Sequence, residues 1–126
     1  GTYSGINTST TEYIAYVFAS LDGISKVGHY DGDGSSQNID CGFSGGARFV
    51  LIKTLHTGAP MFIWDTVRGI VSGDDPYLRL SHRGAEITNT DSIDPHSAGF
   101  TVNVGNDSNS SDINKSGKTY AFLAIA

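Results

Sequence analysis

The sequence predicts an all-β fold, an antiparallel β-sandwich (jelly-roll-like) of about eight short strands. Aromatic and β-branched residues gather in short runs, and Gly, Ser, Asn and Asp separate those runs at roughly ten-residue spacing. Nowhere does an apolar spacing of three and four residues persist through three helical turns.

The first candidate strand is Glu12 to Ser20. Its Tyr13-Ile14-Ala15-Tyr16-Val17-Phe18-Ala19 core carries apolar residues on both faces, as a strand covered on both sides of a sheet would. Ser25 to Tyr30 is the second, closed by Asp31-Gly32-Asp33-Gly34, whose Asp-Gly pairs supply the positive φ of tight turns. Ser35 to Asp40 reads as an exposed loop and Ser44-Gly45-Gly46 as another turn. Ala47 to Leu55 is a second core strand, because Arg48-Phe49-Val50-Leu51-Ile52-Lys53 is apolar on both faces. Pro60 to Thr66 follows, and then a loop, Gly69 to Pro76. Tyr77 to His82 alternates, with Leu78 and Leu80 on one face and Tyr77, Arg79 and Ser81 on the other, which predicts a half-exposed strand. Glu86 to Thr90, Phe100 to Val104 and Thr119 to Ala126 complete the set. Asp74-Asp75-Pro76 and Asp91 with Asp94-Pro95 read as turn capping. Gly105 to Lys118 is almost entirely polar, with Ile113 its one large apolar residue, and reads as a surface loop.

The two ends of the chain echo each other. Asn7 to Ala19 and Asn114 to Ala126 each run from a polar turn into an apolar stretch that opens on Tyr and closes on Ala, with Tyr13 and Tyr120 107 positions apart. This spacing predicts that residues 1–20 are a terminal strand equivalent to the end of a preceding module, and that residues 21–126 form a single β-sandwich module. The start at Gly1-Thr2-Tyr3, without Met, fits an excerpt of a longer protein. No basic region followed by an apolar stretch marks a signal peptide there.

With 126 residues, 38% of them hydrophobic, the chain can bury an ordinary core without disulfides or a metal. Its single cysteine, Cys41, has no internal partner and reads as a small buried hydrophobe. A net charge of −5, with eight basic residues scattered singly, argues against a phosphate-backbone footprint. The longest apolar runs, Tyr13 to Ala19 and Tyr120 to Ala126, are far short of the roughly 20 residues that span a bilayer.

Several motifs carry chemistry in other settings. Gly42-Phe43-Ser44-Gly45-Gly46 matches the nucleophile-elbow pattern of serine hydrolases, but that elbow needs a helix after it, and here a strand follows. Asp31-Gly32-Asp33-Gly34-Ser35-Ser36 begins like a calcium loop, yet its sixth position is Ser36 instead of Gly and its twelfth is Gly42 instead of Glu. A hairpin turn is the expectation, with Ca²⁺ at the acidic turns as the metal alternative. His29, His56, His82 and His96 share no ligand spacing. Glu12 and Glu86 cannot be placed opposite an Asp by sequence, so paired carboxylates for glycoside hydrolysis are not indicated. Trp64-Asp65 with Arg68, and Tyr77, form the candidate ligand-binding set: the rings could stack on a sugar and the Asp–Arg pair could bind hydroxyls. The alternative is that Trp64 fills the core while Asp65 and Arg68 pair to hold the turn into Gly69.

Taken together, several segments resemble a β-domain found, often as repeats, in tail-fibre and other structural proteins of tailed bacteriophages, notably marine and cyanobacterial phages. They are Tyr13 to Ala19, Ser25-Lys26-Val27-Gly28-His29-Tyr30, Cys41-Gly42-Phe43, Ala47 to Lys53, Ile63-Trp64-Asp65 with Arg68-Gly69-Ile70, and Asp75-Pro76-Tyr77-Leu78. Ala85 to Asp91, Ile93-Asp94-Pro95, Ser97-Ala98-Gly99-Phe100 and Asn114 to Ala126 continue the match over nearly the whole chain. The resemblance departs at Asp31 and Asp33, where the family carries Thr and Asn, and at His29, where it carries a small polar residue. A metal at that turn would therefore be particular to this chain.

The resemblance implies a virion component with no catalytic residue and no cofactor: a spacer or host-surface adhesion module of a tail fibre or related tail protein. Its partners would be other virion proteins, further copies of itself (a trimer among the options) and a host-surface glycan or protein, with neither nucleic acid nor membrane insertion. Alternatives are a capsid-decoration or head-associated protein and a glycan-degrading tail-spike enzyme. Exposure of Trp64 or Tyr77 in a groove would favour adhesion, and burial of both would favour the spacer.

Overall fold

The computed structural model describes residues 9–55, 60–80, 82–104 and 113–126. Eight strands are found among them: β1 (Ser25–Asp31), β2 (Gln37–Asp40), β3 (Phe49–Thr54), β4 (Met61–Asp65), β5 (Leu78–Arg79), β6 (Ile93–His96), β7 (Gly99–Val102) and β8 (Thr119–Ile125). They form two antiparallel sheets, a larger one of order β1-β8-β3-β4-β5 and a smaller one of order β2-β7-β6. The fold is all-β, as the sequence predicts.

The sheets face each other across one apolar core. In β3, Val50, Ile52 and Thr54 are buried while Phe49, Leu51 and Lys53 are half-buried, so the period-2 alternation of a strand sets which face is inside. The larger sheet also contributes Phe62, Trp64, Tyr120, Phe122 and Ala124; the smaller contributes Ile39, Ile93, Phe100 and Val102. Phe100 and Phe122 meet edge to face across the interface, ring centroids 5.5 Å apart.

The last strand of the chain is central to the larger sheet. β8 lies between β1 and β3, in register from Ser25↔Ile125 to Asp31↔Thr119 on one side and from Phe49↔Ile125 to Thr54↔Tyr120 on the other. Along it, Tyr120 stacks on Tyr30 with centroids 5.1 Å apart, and Phe122 lies over Gly28. A Cβ built on Gly28 would come within 2.8 Å of the Phe122 ring, so this position is glycine because the neighbouring ring occupies its side-chain volume.

Several strands differ from the sequence expectation. Glu12 to Ser20 forms no strand: its described residues are exposed, with Ile14 85%, Tyr16 83% and Val17 89% exposed. The two-sided apolar pattern predicts a covered central strand, but within this chain the interior position between β1 and β3 is held by β8. Glu86 to Thr90 contributes a single bridge, Tyr77↔Ile87. Tyr77 to His82 shrinks to the two residues of β5, and its faces are reversed: Tyr77 is buried and Leu80 is 55% exposed. Tyr77 goes inside because Phe62 and Trp64 offer it a pocket of two rings.

Two strands lie where the sequence predicts a loop or a turn. β2, Gln-Asn-Ile-Asp, points one apolar residue, Ile39, into the core and pairs with β7. β6 contains Asp94-Pro95; as an edge strand it needs no ladder donor on its outer side, so proline is tolerated there. Of the expected polar loop Gly105 to Lys118, residues 105–112 lie outside the described residues, while Ile113 and Asn114 are buried. Tyr30 donates its hydroxyl proton to the Ile113 carbonyl at 2.6 Å. Asn114 Oδ1 accepts from Gln37 Nε2 at 2.9 Å and from the Asp33 N–H at 3.3 Å, while its Nδ2 donates to the Ser35 carbonyl at 2.7 Å.

Candidate functional site

The candidate set divides between core and surface. β4 alternates, so Phe62 and Trp64 point inward and Asp65 ends the strand at the rim. Trp64 is 0% and Tyr77 1% exposed. Their centroids are 5.4 Å apart, and Phe62 lies 5.7 Å from Trp64 and 5.6 Å from Tyr77, which closes a three-ring cluster. Neither ring offers a face to a sugar. The Trp64 indole N–H has no hydrogen-bond partner among the described residues, so its burial rests on packing alone.

Asp65 and Arg68 build a turn. Asp65 Oδ1 accepts from the Val67 N–H at 3.0 Å and the Arg68 N–H at 2.9 Å, and the Gly69 N–H reaches the Asp65 carbonyl at 3.0 Å. Arg68 pairs through its guanidinium with Asp65 Oδ2, and its Nε lies 3.0 Å from Glu86 Oε1. The cation is thus neutralised by two carboxylates at the surface, as expected of a pair holding the turn into Gly69.

A different concavity emerges where β3 begins and the β6–β7 turn closes. It is a cavity of about 260 Å³ lined by Gly45 to Arg48, Thr66, Ile70 and Pro95 to Ser97. Gly46 is required there: at φ 79° it sits in the left-handed region, and a Cβ would lie 2.8 Å from the His96 carbonyl. The Gly46 N–H donates to the Ser97 carbonyl at 2.8 Å, tying the two loops together. His96 Nδ1 faces inward without a partner among the described residues. The volume is below the roughly 300–1,000 Å³ of ordinary ligand pockets. Sequence reading missed it because Arg48 and His96 are 48 positions apart and no spacing connects them.

The acidic turns are held largely by hydrogen bonds within the fold, and Asp94 Oδ1 alone of their buried oxygens has no partner among the described residues. Asp33 Oδ1 accepts from the Ser35 N–H at 2.7 Å, and Asp31 Oδ1 accepts from the Thr119 hydroxyl at 2.7 Å. Asn103 Nδ2 bridges Asp91 Oδ1 at 2.6 Å and Asp94 Oδ2 at 2.8 Å. Asp75 is fully buried: Oδ1 accepts from the Val71 N–H at 2.9 Å and Oδ2 from the Ile93 N–H at 3.1 Å, which pins the loop before β5 to β6. Burial pushes its carboxyl up from 3.8 to about 7, against the pull of the backbone donors and with a further push from Asp91. No cluster of three or more His, Cys, Asp or Glu with metal-binding geometry occurs among the described residues.

The remaining motifs lie apart. Ser44 is exposed in a turn where the Gly42 N–H bonds Asp40 Oδ1 at 2.8 Å, and the chain goes on into β3 without a helix. Cys41 is buried, its thiol pushed up to about 11 chiefly by burial. His29 and His82 are exposed, and His56 lies outside the described residues. Among the described residues no helix is long and apolar enough to cross a membrane.

A family model described as "Domain of unknown function (DUF7483)" matches residues 1–126. No curated protein and no solved structure matches the chain.

Proposed function

We propose that this chain, which belongs to the DUF7483 family by a match over its whole length, is a structural spacer module of a bacteriophage virion appendage, a tail fibre or a related tail protein. The observation that carries the spacer reading over adhesion is the burial of both Trp64 and Tyr77. The residues best suited to stack on a host glycan are spent on the core, and the polar pair beside them is spent on a turn. The segment-by-segment resemblance to phage structural domains supports the virion setting.

The chain would work through shape. Two antiparallel sheets, held together by the Phe100–Phe122 contact and by the bond from the β6 Ile93 N–H to Asp75, give a unit whose neighbours are other virion proteins. Labelling phage particles that carry this chain with an antibody raised against it tests the setting: labelling along an appendage is expected, and its absence from the particle overturns the virion reading. A glycan array together with a reducing-sugar release assay tests the role. Silence in both is expected. Binding without release would transfer the role to adhesion, and release would sink the structural reading.

A further inference from the structure

The segment before β1 carries a run of exposed large apolar side chains. Tyr13, Ile14, Tyr16, Val17 and Phe18 are 48%, 85%, 83%, 89% and 57% exposed, five large apolar side chains within six residues. Such a run is costly to leave in water and is a template for strand pairing. Aligned with residues 120–126, which include most of β8, it matches at both ends, Tyr13 on Tyr120 and Ala19 on Ala126, and is apolar or aromatic throughout, as that stretch is. We infer that residues 13–19 are a donor strand that completes the larger sheet of a second, non-identical module of this same fold, occupying there the central position that β8 occupies here. This inference does not rest on the virion reading.

The chain's own sheet edges are closed to the segment. On the outer side of β1, the Ser25 N–H and carbonyl bond Leu21, the Ser20 hydroxyl bridges the Val27 carbonyl and N–H at 3.3 and 3.0 Å, and Gln37 Nε2 donates to the Asp31 carbonyl at 3.1 Å. β5 has two residues, β2 ends on the charged Asp40, and β6 carries Pro95. These are the usual devices that keep an edge from being extended. A position between two strands, with a partner on each side, is the environment that the two-sided apolar pattern calls for.

Side-chain fit then separates self from non-self. In β8 the inward residues are Tyr120, Phe122 and Ala124. At the same register the segment would present Tyr13, Ala15 and Val17. Tyr13 suits the position stacked on Tyr30, but Ala15 in place of Phe122 leaves a void over Gly28 and against Phe100, where the missing ring now packs. Val17 would overfill the site of Ala124, which is fully buried. Slipping by one residue is no remedy, because Phe18 would then fall on Ala124. The segment is therefore mismatched to its own module. Its complement is a sheet with a larger residue where this one has Gly28 and more room opposite Val17. The mismatch keeps identical copies from exchanging strands and directs the segment to a different neighbour.

The test uses the full chain in three forms. In the wild type, the chain is expected to be monomeric by native mass spectrometry, with amide exchange at residues 14–18 near the unprotected rate. Phe122→Ala weakens the resident strand, and adding Ala15→Phe and Val17→Ala gives the segment the inward pattern of β8. The triple variant is expected to form dimers or chains whose Tm rises with protein concentration, with exchange at residues 14–18 slowed at least about 100-fold. A triple variant whose Tm is independent of concentration, with the segment still unprotected, overturns the equivalence to β8. A wild-type monomer with the segment protected means that it packs on its own module, which overturns donation. A wild-type oligomer with the segment protected makes an identical copy the acceptor and overturns the non-identical partner. Should Phe122→Ala alone fail to fold, concentration-dependent folding of the triple variant still decides the matter.

Discussion

Asp75 makes stability depend on pH in the direction opposite to that of an ordinary paired carboxylate. It is fully buried, accepts hydrogen bonds from backbone N–H groups, and has its carboxyl raised from 3.8 to about 7, burial being the largest cause. A raised acid binds its proton more tightly in the folded chain than in the unfolded one. The stability it contributes is therefore complete below about pH 4 and is lost as pH climbs through 7. With about 1.4 kcal/mol for each tenfold in proton affinity, the loss between pH 5 and pH 8 is about 2.5 kcal/mol, a large part of the roughly 5–15 kcal/mol that holds a small domain folded. Urea unfolding at pH 5, 6, 7 and 8 measures it, with Asp75→Asn as reference. The amide cannot ionise, and its poorer fit to two N–H donors adds a penalty that does not vary with pH. The stability difference between wild type and variant should shift by about 2.5 kcal/mol across this range, in favour of wild type at acid pH, with unchanged m. A difference flat to within about 0.5 kcal/mol would refute the reasoning, because the group would then titrate alike folded and unfolded.

Other changes test other parts of the fold. Gly28→Ala puts a Cβ 2.8 Å from the Phe122 ring and should lower stability by about 1–3 kcal/mol in denaturant titration; pairing it with Phe122→Leu should recover part of the loss. Trp64→Ala, at a 0% exposed site, should cost about 3–5 kcal/mol, whereas Arg68→Ala, at a surface pair, should cost less than about 1 kcal/mol. Asn103→Ala removes the amide that bridges Asp91 and Asp94 and should cost about 1–3 kcal/mol by the same assay. Cys41, buried with its thiol raised to about 11, should react with thiol reagents only as fast as the smaller sheet opens, so Ile39→Ala beside it should accelerate labelling.

The large elements were legible because their patterns were unambiguous. Ala47 to Leu55, Pro60 to Thr66 and Thr119 to Ala126 each contain a strand of the larger sheet and Ser25 to Tyr30 covers all of β1 but its last residue, since runs of β-branched and aromatic residues bounded by Gly and polar turns fit few other structures. The smaller sheet was harder to read. β2 carries one inward apolar residue and β6 one proline, so the local signal for turn outweighed a pairing that only β7, some sixty residues after β2, makes worthwhile. Tyr77 shows the same limit: alternation placed it outside with Arg79, and contact with Phe62 and Trp64, distant in sequence, placed it inside. Of the candidate site, the Asp65–Arg68 turn was readable because it is local. The Arg48–His96 cavity was not, because the topology alone brings its walls together.

The register of β1 and β8 bears on how this unit would carry load. Ser25 and Ile125 are directly paired, so the first residue of β1 and the last of β8 lie side by side at one end of the sheet. Tension entering at Ser25 and leaving at Ile125 would pull these neighbours apart at right angles to the strands and break the ladder one rung at a time, like a zip. Strands loaded along their length would instead resist with all their rungs together. An array joined at these points would yield at low force and lengthen by peeling, and each released module could re-form once slack returned. Single-molecule stretching through handles at the two points would reveal such a chain as a shock absorber rather than a rigid strut.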